Sequence, residues 1–476
     1  MTEKIRLREK IGYGLGDAAS SMFWKIFGMY AAFFYTDVFG IDAKVAGIMF
    51  LAARLFDSFF DVGVGIVADR TRSRYGKYRP YLLWFAVPFA VMGVVTFFVP
   101  EFGATGKIIY ACITYLAMML VYSIINVPYA SLLGAMSADP KERNSLSSYR
   151  MAFAFIGSFV TFMLLQPLID FFAGKLNPEN VAQAAENVSV STLPMAWTLG
   201  VGAIGIICIA LFLLSFSWTK ERVQQIETEE NASIKEDLLQ LLQNSTWWIL
   251  VAAGLAALLF NAVRDGVAIY FFRDYVSINY KMAGTGWDMT TIYFLVGQAA
   301  NLLGVIVAPT LSARYGKKNT YMIAILTAGV FSVAFYFIPN NIEWILTLQF
   351  LISVCAGYVL PLLWSMFADI VDNEELKTGR RATGLIFSSS SMSQKLGWAL
   401  GAGLNLLILG WFGYSETAAK NGLLQNEQTV FGEHLMISIF PAICCVLAFI
   451  GMFFYPLSDK KVKENTEELN RRRMGN

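Results

Sequence analysis

Residues 54–79 read RLFDSFFDVGVGIVADRTRSRYGKYR, and this stretch decides what kind of chain this is. The apolar run around it reaches back to Val45, so residues 45–68 are long enough to cross a bilayer, yet they contain Arg54, Asp57 and Asp61. Spacings of three and four residues put these side chains on one helical face. A charge left facing lipid costs roughly 2.5 to 3.5 kcal/mol on insertion scales, so that face looks into protein or a watery cavity. The run ends in five basic residues between Arg70 and Arg79, the charge expected where a helix leaves the membrane on its cytoplasmic side. Two carboxylates one turn apart inside such a helix are a candidate site for a cation or a proton.

The rest of the chain has the same character. Of its 476 residues 56% are hydrophobic and only 15% charged, where soluble domains carry about 25% charged residues. This composition is that of a polytopic membrane protein. The net charge of +2 says nothing of partners, because the position of each charge matters here and not the sum, and nothing supports nucleic-acid binding. Cys112, Cys208, Cys355, Cys444 and Cys445 all lie in apolar runs without CxxC spacing, which marks them as packing residues. The amino-terminal basic residues Lys4, Arg6, Arg8 and Lys10 precede a polar-containing span with no small-residue cleavage site, so the first helix is expected to stay as an anchor.

Apolar runs broken by charge or turn signals fall near 12–39, 43–68, 80–99, 108–135, 149–173 and 195–217, and again near 246–273, 288–313, 319–339, 343–370, 381–412 and 435–456. The expectation is an all-α membrane protein of twelve transmembrane helices in two six-helix bundles, residues 1–217 and 246–456, joined by a cytoplasmic linker at 218–245 and ending in a cytoplasmic tail at 457–476. The linker reads as a surface helix or a mobile connection. Lys and Arg number 26 at the termini, the linker and alternate loops, and 5 in the opposite loops, which places both termini in the cytoplasm. An internal repeat supports two halves: Arg74, Tyr75, Gly76 and Lys77 return as Arg314, Tyr315, Gly316 and Lys317 at the equivalent helix end. Two parallel six-helix repeats are the pattern of the major facilitator superfamily, with solute bound between halves near the midplane.

An enzyme needs a nucleophile with its base, or a metal cluster, and the one histidine, His434, lies at an outer helix edge. The chain is therefore not read as an enzyme, and no cofactor is expected beyond a coupling H⁺ or Na⁺. The GxGxxG-like IGYGLGDA has no preceding strand and opens a membrane helix, so its glycines are packing residues, not a nucleotide loop. What remains is charge within the membrane. Asp17 lies a turn and a half into the first span, either as an acceptor for a polar solute or as a helix-terminal carboxylate. Asp57 and Asp61 outnumber Arg54, so one acid stays available for a proton or Na⁺. Arg150 opens the fifth span, as a solute contact or as a snorkelling side chain. Lys395 sits mid-span among hydroxyls and small residues in SSSSMSQKLGWALGAG and needs an acid or a solute as partner. Trp24, Tyr122, Tyr149, Trp364 and Trp398 are either aromatic faces on which a sugar ring can stack or, as most membrane aromatics are, packing and interfacial residues.

The chain resembles the glycoside-pentoside-hexuronide cation symporters of the major facilitator superfamily. The motifs are YGLGD (13–17), FYTDVFG (34–40), ARLFDSFFD (53–61), TRSRYGKYRPY (71–81), NVPYASL (126–132), ADIVDNEELKTGRRATG (368–384) and SQKLGWALG (393–401). The resemblance implies a cation site at Asp57 and Asp61 helped by the Ser123 hydroxyl. It also implies a sugar site at Asp17, Asn126, Arg150 and Lys395, the last being the basic residue near the cation site. Two departures stand out. Phe60 replaces an asparagine that offers an oxygen to Na⁺ in melibiose-transporting members. Asn126 and Ala130 replace their galactoside-recognising aspartate and tryptophan, so a different sugar, acidic or neutral, is implied. The expected function is inward symport of a sugar or glycoside with H⁺ or Na⁺ across a bacterial inner membrane, by a carrier that works as a monomer. A non-transporting glycoside sensor and a carrier of a lipid-like amphiphile are the alternatives.

Overall fold

A computed structural model describes residues 5–137, 140–176, 193–222, 242–276, 281–282, 287–378, 383–420 and 423–474. Helix dominates throughout. In chain order the helices are α1 (Leu7–Lys25), α2 (Ala43–Arg70), α3 (Arg79–Trp84 and Ala86–Thr96), α4 (Ala104–Met136), α5 (Pro140–Leu176) and α6 (Pro194–Trp218). They continue with α7 (Ser245–Phe271), α8 (Met289–Tyr315), α9 (Lys317–Phe337), α10 (Ile342–Thr378), α11 (Thr383–Trp411), α12 (Glu427–Ile437 and Ile439–Phe453) and α13 (Asp459–Met474). A two-residue antiparallel ladder, Lys281–Met282 on Trp287–Asp288, lies between α7 and α8.

Eight helical segments among the described residues are long and apolar enough to cross a membrane. Helix α2, with Arg54, Asp57 and Asp61 in its interior, is not among them. Several helices outrun their apolar spans: α5 begins at Pro140 and α12 at Glu427, because backbone hydrogen bonding continues into polar flanks that hydropathy ignores. Helix α1 does not end at Lys25. It runs on through a π-turn at Ile26–Tyr30, one α-turn, and a second π-turn at Phe34–Val38. Helix α7 likewise passes into a π-turn at Phe272–Val276.

Contacts group the chain into two compact units. The first comprises 1–227, 269–295 and 402–430. Within it α1 packs on α5 and α6, α2 on α4, and α3 on α6. A Cβ at position 157 would meet the Ala18 carbonyl oxygen at 2.3 Å, so Gly157 is what lets α5 lie against the α1 backbone. The core is aromatic, with Phe23, Phe34, Tyr35, Phe97, Tyr115 and Trp197 all fully buried. The second unit comprises 228–268, 296–401 and 431–476, in which α9 packs on α10 and α12, and α13 on α10.

The glycine of the repeated RYGK sequence turns the chain in each unit, although Arg74 and Tyr75 lie in a turn and Arg314 and Tyr315 end α8. Gly76 and Gly316 both have positive φ, 108° and 85°, a conformation that favours glycine. An acid then caps each turn. Glu221 accepts the backbone N–H groups of Lys77, Tyr78 and Arg79, each at 2.8 Å, and Asp459 accepts that of Lys317 at 2.9 Å. Lys317 Nζ also bonds both oxygens of Asp369, at 2.8 and 2.7 Å. The start of the expected linker is thus docked: besides Glu221, Arg222 pairs with Glu9 at 2.8 Å and donates its N–H to the Ala135 carbonyl. Residues 223–241 of that linker lie outside the described residues.

Candidate functional site

Helix α2 carries Asp57 into the first unit, where its side chain is 2% exposed. One turn earlier, Arg54 is also buried and lays its guanidinium over the Trp24 ring of α1, 4.7 Å from the centroid. From α4, the buried Ser123 hydroxyl donates to Asp57 Oδ1 at 2.6 Å, a short charge-assisted bond. Asp61, one turn further along α2, is half-buried. The structure therefore brings Ser123 to Asp57 as the resemblance implied, with Asp61 on the same helix face. Three oxygen-bearing side chains and a nearby guanidinium suit a hard cation or a proton. No soft ligand is among them.

A second pair lies on α1 and α5. Arg150 Nε stands 3.3 Å from Asp17 Oδ2, with the Asp17 side chain 12% exposed and that of Arg150 28%. The guanidinium also covers Tyr129, 5.4 Å from its centroid, and Tyr129 stacks on Tyr13 at 4.9 Å while donating its hydroxyl to the Tyr13 carbonyl at 2.5 Å. Arg150 is thus both paired and stacked. Trp24, already against Arg54, lies 5.6 Å from Tyr122. Aromatic faces beside a largely buried ion pair are a chemistry that receives sugars, whose C–H faces stack and whose hydroxyls bond to charge.

Asn126 stands one turn after Ser123 on α4, and its Oδ1 is buried without a hydrogen-bond partner among the described residues. An orphaned acceptor one turn from Ser123 invites a donor from outside the protein, such as a sugar hydroxyl. Lys395 lies on α11, and its side chain is outside the described residues. His434 stacks on Tyr336 at 4.9 Å.

Sequence reasoning missed the cover that Trp24 gives Arg54 and the tyrosine pair behind Arg150. It also missed a buried cluster in which Arg273 meets Asp37, Asp274 and Tyr414. The signal was present, since FYTDVFG and an arginine at a span edge were both visible, but nothing in the chain order joins them.

Helices that cross a membrane, with buried charges on their inward faces, define a carrier of the major facilitator type and not an enzyme. The chain belongs to the family described as MFS/sugar transport protein, whose model matches residues 12–459, within the glycoside-pentoside-hexuronide cation symporter group. It is 33% identical over 470 residues to the inner membrane symporter YicJ of Escherichia coli K12, covering 98% of this chain and 96% of that one. It is 32% identical to the isoprimeverose transporter of Lactiplantibacillus pentosus, covering 94% and 88%, and 31% identical to the glucuronide carrier protein homolog of Escherichia coli K12, covering 99% and 97%. Among solved structures, the nucleoside transporter NupG aligns with a TM-score of 0.60 at 16% identity, over 95% of this chain and 100% of that one. That likeness is one of fold.

Proposed function

We propose that this chain is a symporter that imports a sugar or glycoside with H⁺ or Na⁺ by alternating access between two six-helix halves, residues 1–217 and 246–456. Twelve spans, with both termini in the cytoplasm of a bacterial inner membrane, and a working monomer complete the reading. The observation that carries it is the buried Asp57 held by Ser123, one turn from the unpartnered Asn126 Oδ1. Asp57 and Asp61 with Ser123 take the coupling cation. Asp17, Arg150 and Asn126 take the sugar, with Lys395 as the basic residue near both. Because Ser123 and Asn126 share one face of α4, a cation that orders Ser123 also orders the sugar acceptor, which is the linkage a symporter needs.

The family and the relatives named for glycosides and a glucuronide support a polar sugar and leave the amphiphile and sensor readings without support of their own. Phe60 offers no oxygen beside Asp61, which favours H⁺ over Na⁺. The test is uptake into proteoliposomes of labelled α-galactosides, xylosides and hexuronides, under an imposed proton or sodium gradient, with Asp57→Cys alongside. Accumulation of one solute, driven by one gradient and lost in the variant, is the expected result. Uphill transport preserved in Asp57→Cys overturns the cation assignment.

A further inference from the structure

The cluster around Arg273 lies outside the site just described and has no part in it. Its contributors all stand at the far ends of helices: Asp37 in the second π-turn after α1, Arg273 and Asp274 in the π-turn after α7, and Tyr414 just beyond α11. Arg273 forks, one arm to Asp37 and one to Asp274, and also donates to the Tyr414 hydroxyl at 3.0 Å. Tyr414 in turn reaches both oxygens of Asp37, at 2.8 and 2.7 Å. The carboxylates of Asp37 and Asp274 are fully buried and the Arg273 side chain is 8% exposed. Three rings, Phe33, Tyr270 and Tyr414, surround the guanidinium at 5.7 to 5.8 Å.

Local devices aim each partner. A π-turn widens the helix by one residue and rotates the residues after it, and matching π-turns at FYTDV and FRDYV deliver Asp37 and Arg273. Tyr414 is placed by a helix end in which Gly413 takes φ 82°, its N–H bonds Gly410 and the Tyr414 N–H bonds Leu409. A second, aromatic layer lies beside the cluster: Phe294 stacks on Phe162 at 5.0 Å and meets Tyr30 at 6.0 Å, and Trp287 donates to the Met163 carbonyl.

We propose that Asp37, Arg273 and Tyr414 form a latch that holds the helix ends of this face together and must break before the carrier opens to that side. This rests on the orientation proposed above, in which the face is periplasmic. A desolvated guanidinium between two carboxylates is stable only while all partners stay in place, so the cluster has a closed form and a broken form and no intermediate of comparable stability. The rings exclude water and sharpen that choice. The latch thereby sets how much of the carrier waits open to the outside.

The test is a distance measured by electron spin resonance, in full-length protein with its five cysteines replaced and spin labels introduced at Glu101→Cys and Leu424→Cys. Both positions are exposed, in loops of this face. Arg273→Gln is expected to raise the long-distance population by about tenfold, the factor of one lost charge-assisted hydrogen bond, and Tyr414→Phe to raise it less. Distance distributions unchanged from the parent in both variants overturn the proposal. Should Arg273→Gln fail to fold, Tyr414→Phe and Asp37→Asn decide in the same way. No sugar or gradient enters this measurement, so a failure of the latch is distinct from a failure of the transport reading.

Discussion

Ser123 and Asn126 make opposite predictions although they sit one turn apart on the same helix. The Ser123 hydroxyl satisfies a buried carboxylate, so Ser123→Ala removes a charge-assisted bond worth roughly 1.5 to 3 kcal/mol. With Na⁺ as the coupling ion, the apparent cation affinity in initial-rate uptake is expected to fall by about tenfold or more, because a hydroxyl ligand is lost; with H⁺ it is expected to rise, because the lost bond favoured the bare carboxylate. Asn126 has the reverse problem, an acceptor buried with no partner, which costs the unloaded protein about 1 to 3 kcal/mol. Asn126→Leu is therefore expected to raise the melting temperature of the unloaded carrier and to weaken its sugar affinity at once. Differential scanning fluorimetry beside a binding titration checks this. Lower stability together with unchanged sugar affinity would remove Asn126 from the site. Arg150 is a third case, because it both pairs with Asp17 and lies flat over Tyr129. Arg150→Lys keeps the charge and loses the planar stack, so it is expected to raise the sugar KM severalfold while leaving cation dependence intact.

At the scale of elements, the turns and helix ends hold most of what the sequence did not disclose. Apolar spans, the charged face of α2, and the Asp57 and Ser123 contact were readable, because hydropathy and helical spacing act over a few residues and the family motifs supplied the hydroxyl. The Arg150 and Asp17 pairing was readable only through resemblance. Asp37 and Arg273 are 236 residues apart, and the π-turns that aim them leave no pattern in composition. Glu221 reads in sequence as part of the acidic linker, yet its carboxylate is the cap of the RYGK turn. An amide side chain there keeps one carbonyl acceptor where a carboxylate has two, so Glu221→Gln strands at least one of three N–H groups. A loss of about 1 to 3 kcal/mol in stability is expected, read as earlier thermal unfolding. Gly413→Ala is a subtler change. It strains the left-handed helix end that positions Tyr414, by about 1 kcal/mol, and is expected to shift the spin-label distances in the direction of Tyr414→Phe.

For the whole molecule the governing fact is where its basic residues lie. Lys and Arg in the termini, the linker and alternate loops outnumber those in the other loops by 26 to 5, and under the positive-inside rule a bias of that size is the ground for the proposed orientation. Both RYGK turns sit at helix ends predicted to be cytoplasmic, and each is capped by an acid from the segment after the last helix of its half, Glu221 after α6 and Asp459 after α12. Asp37, Arg273 and Tyr414 stand at the opposite ends of α1, α7 and α11, where basic residues are sparse. A fluorescent reporter that matures only in the cytoplasm, fused after Asn476, is therefore expected to glow, and alkaline phosphatase fused there to be inactive. Fused after Glu101, between α3 and α4, the two reporters should exchange behaviour. Active phosphatase at the carboxyl terminus would invert the carrier, and would move the Arg273 cluster from the entrance a sugar uses to its exit.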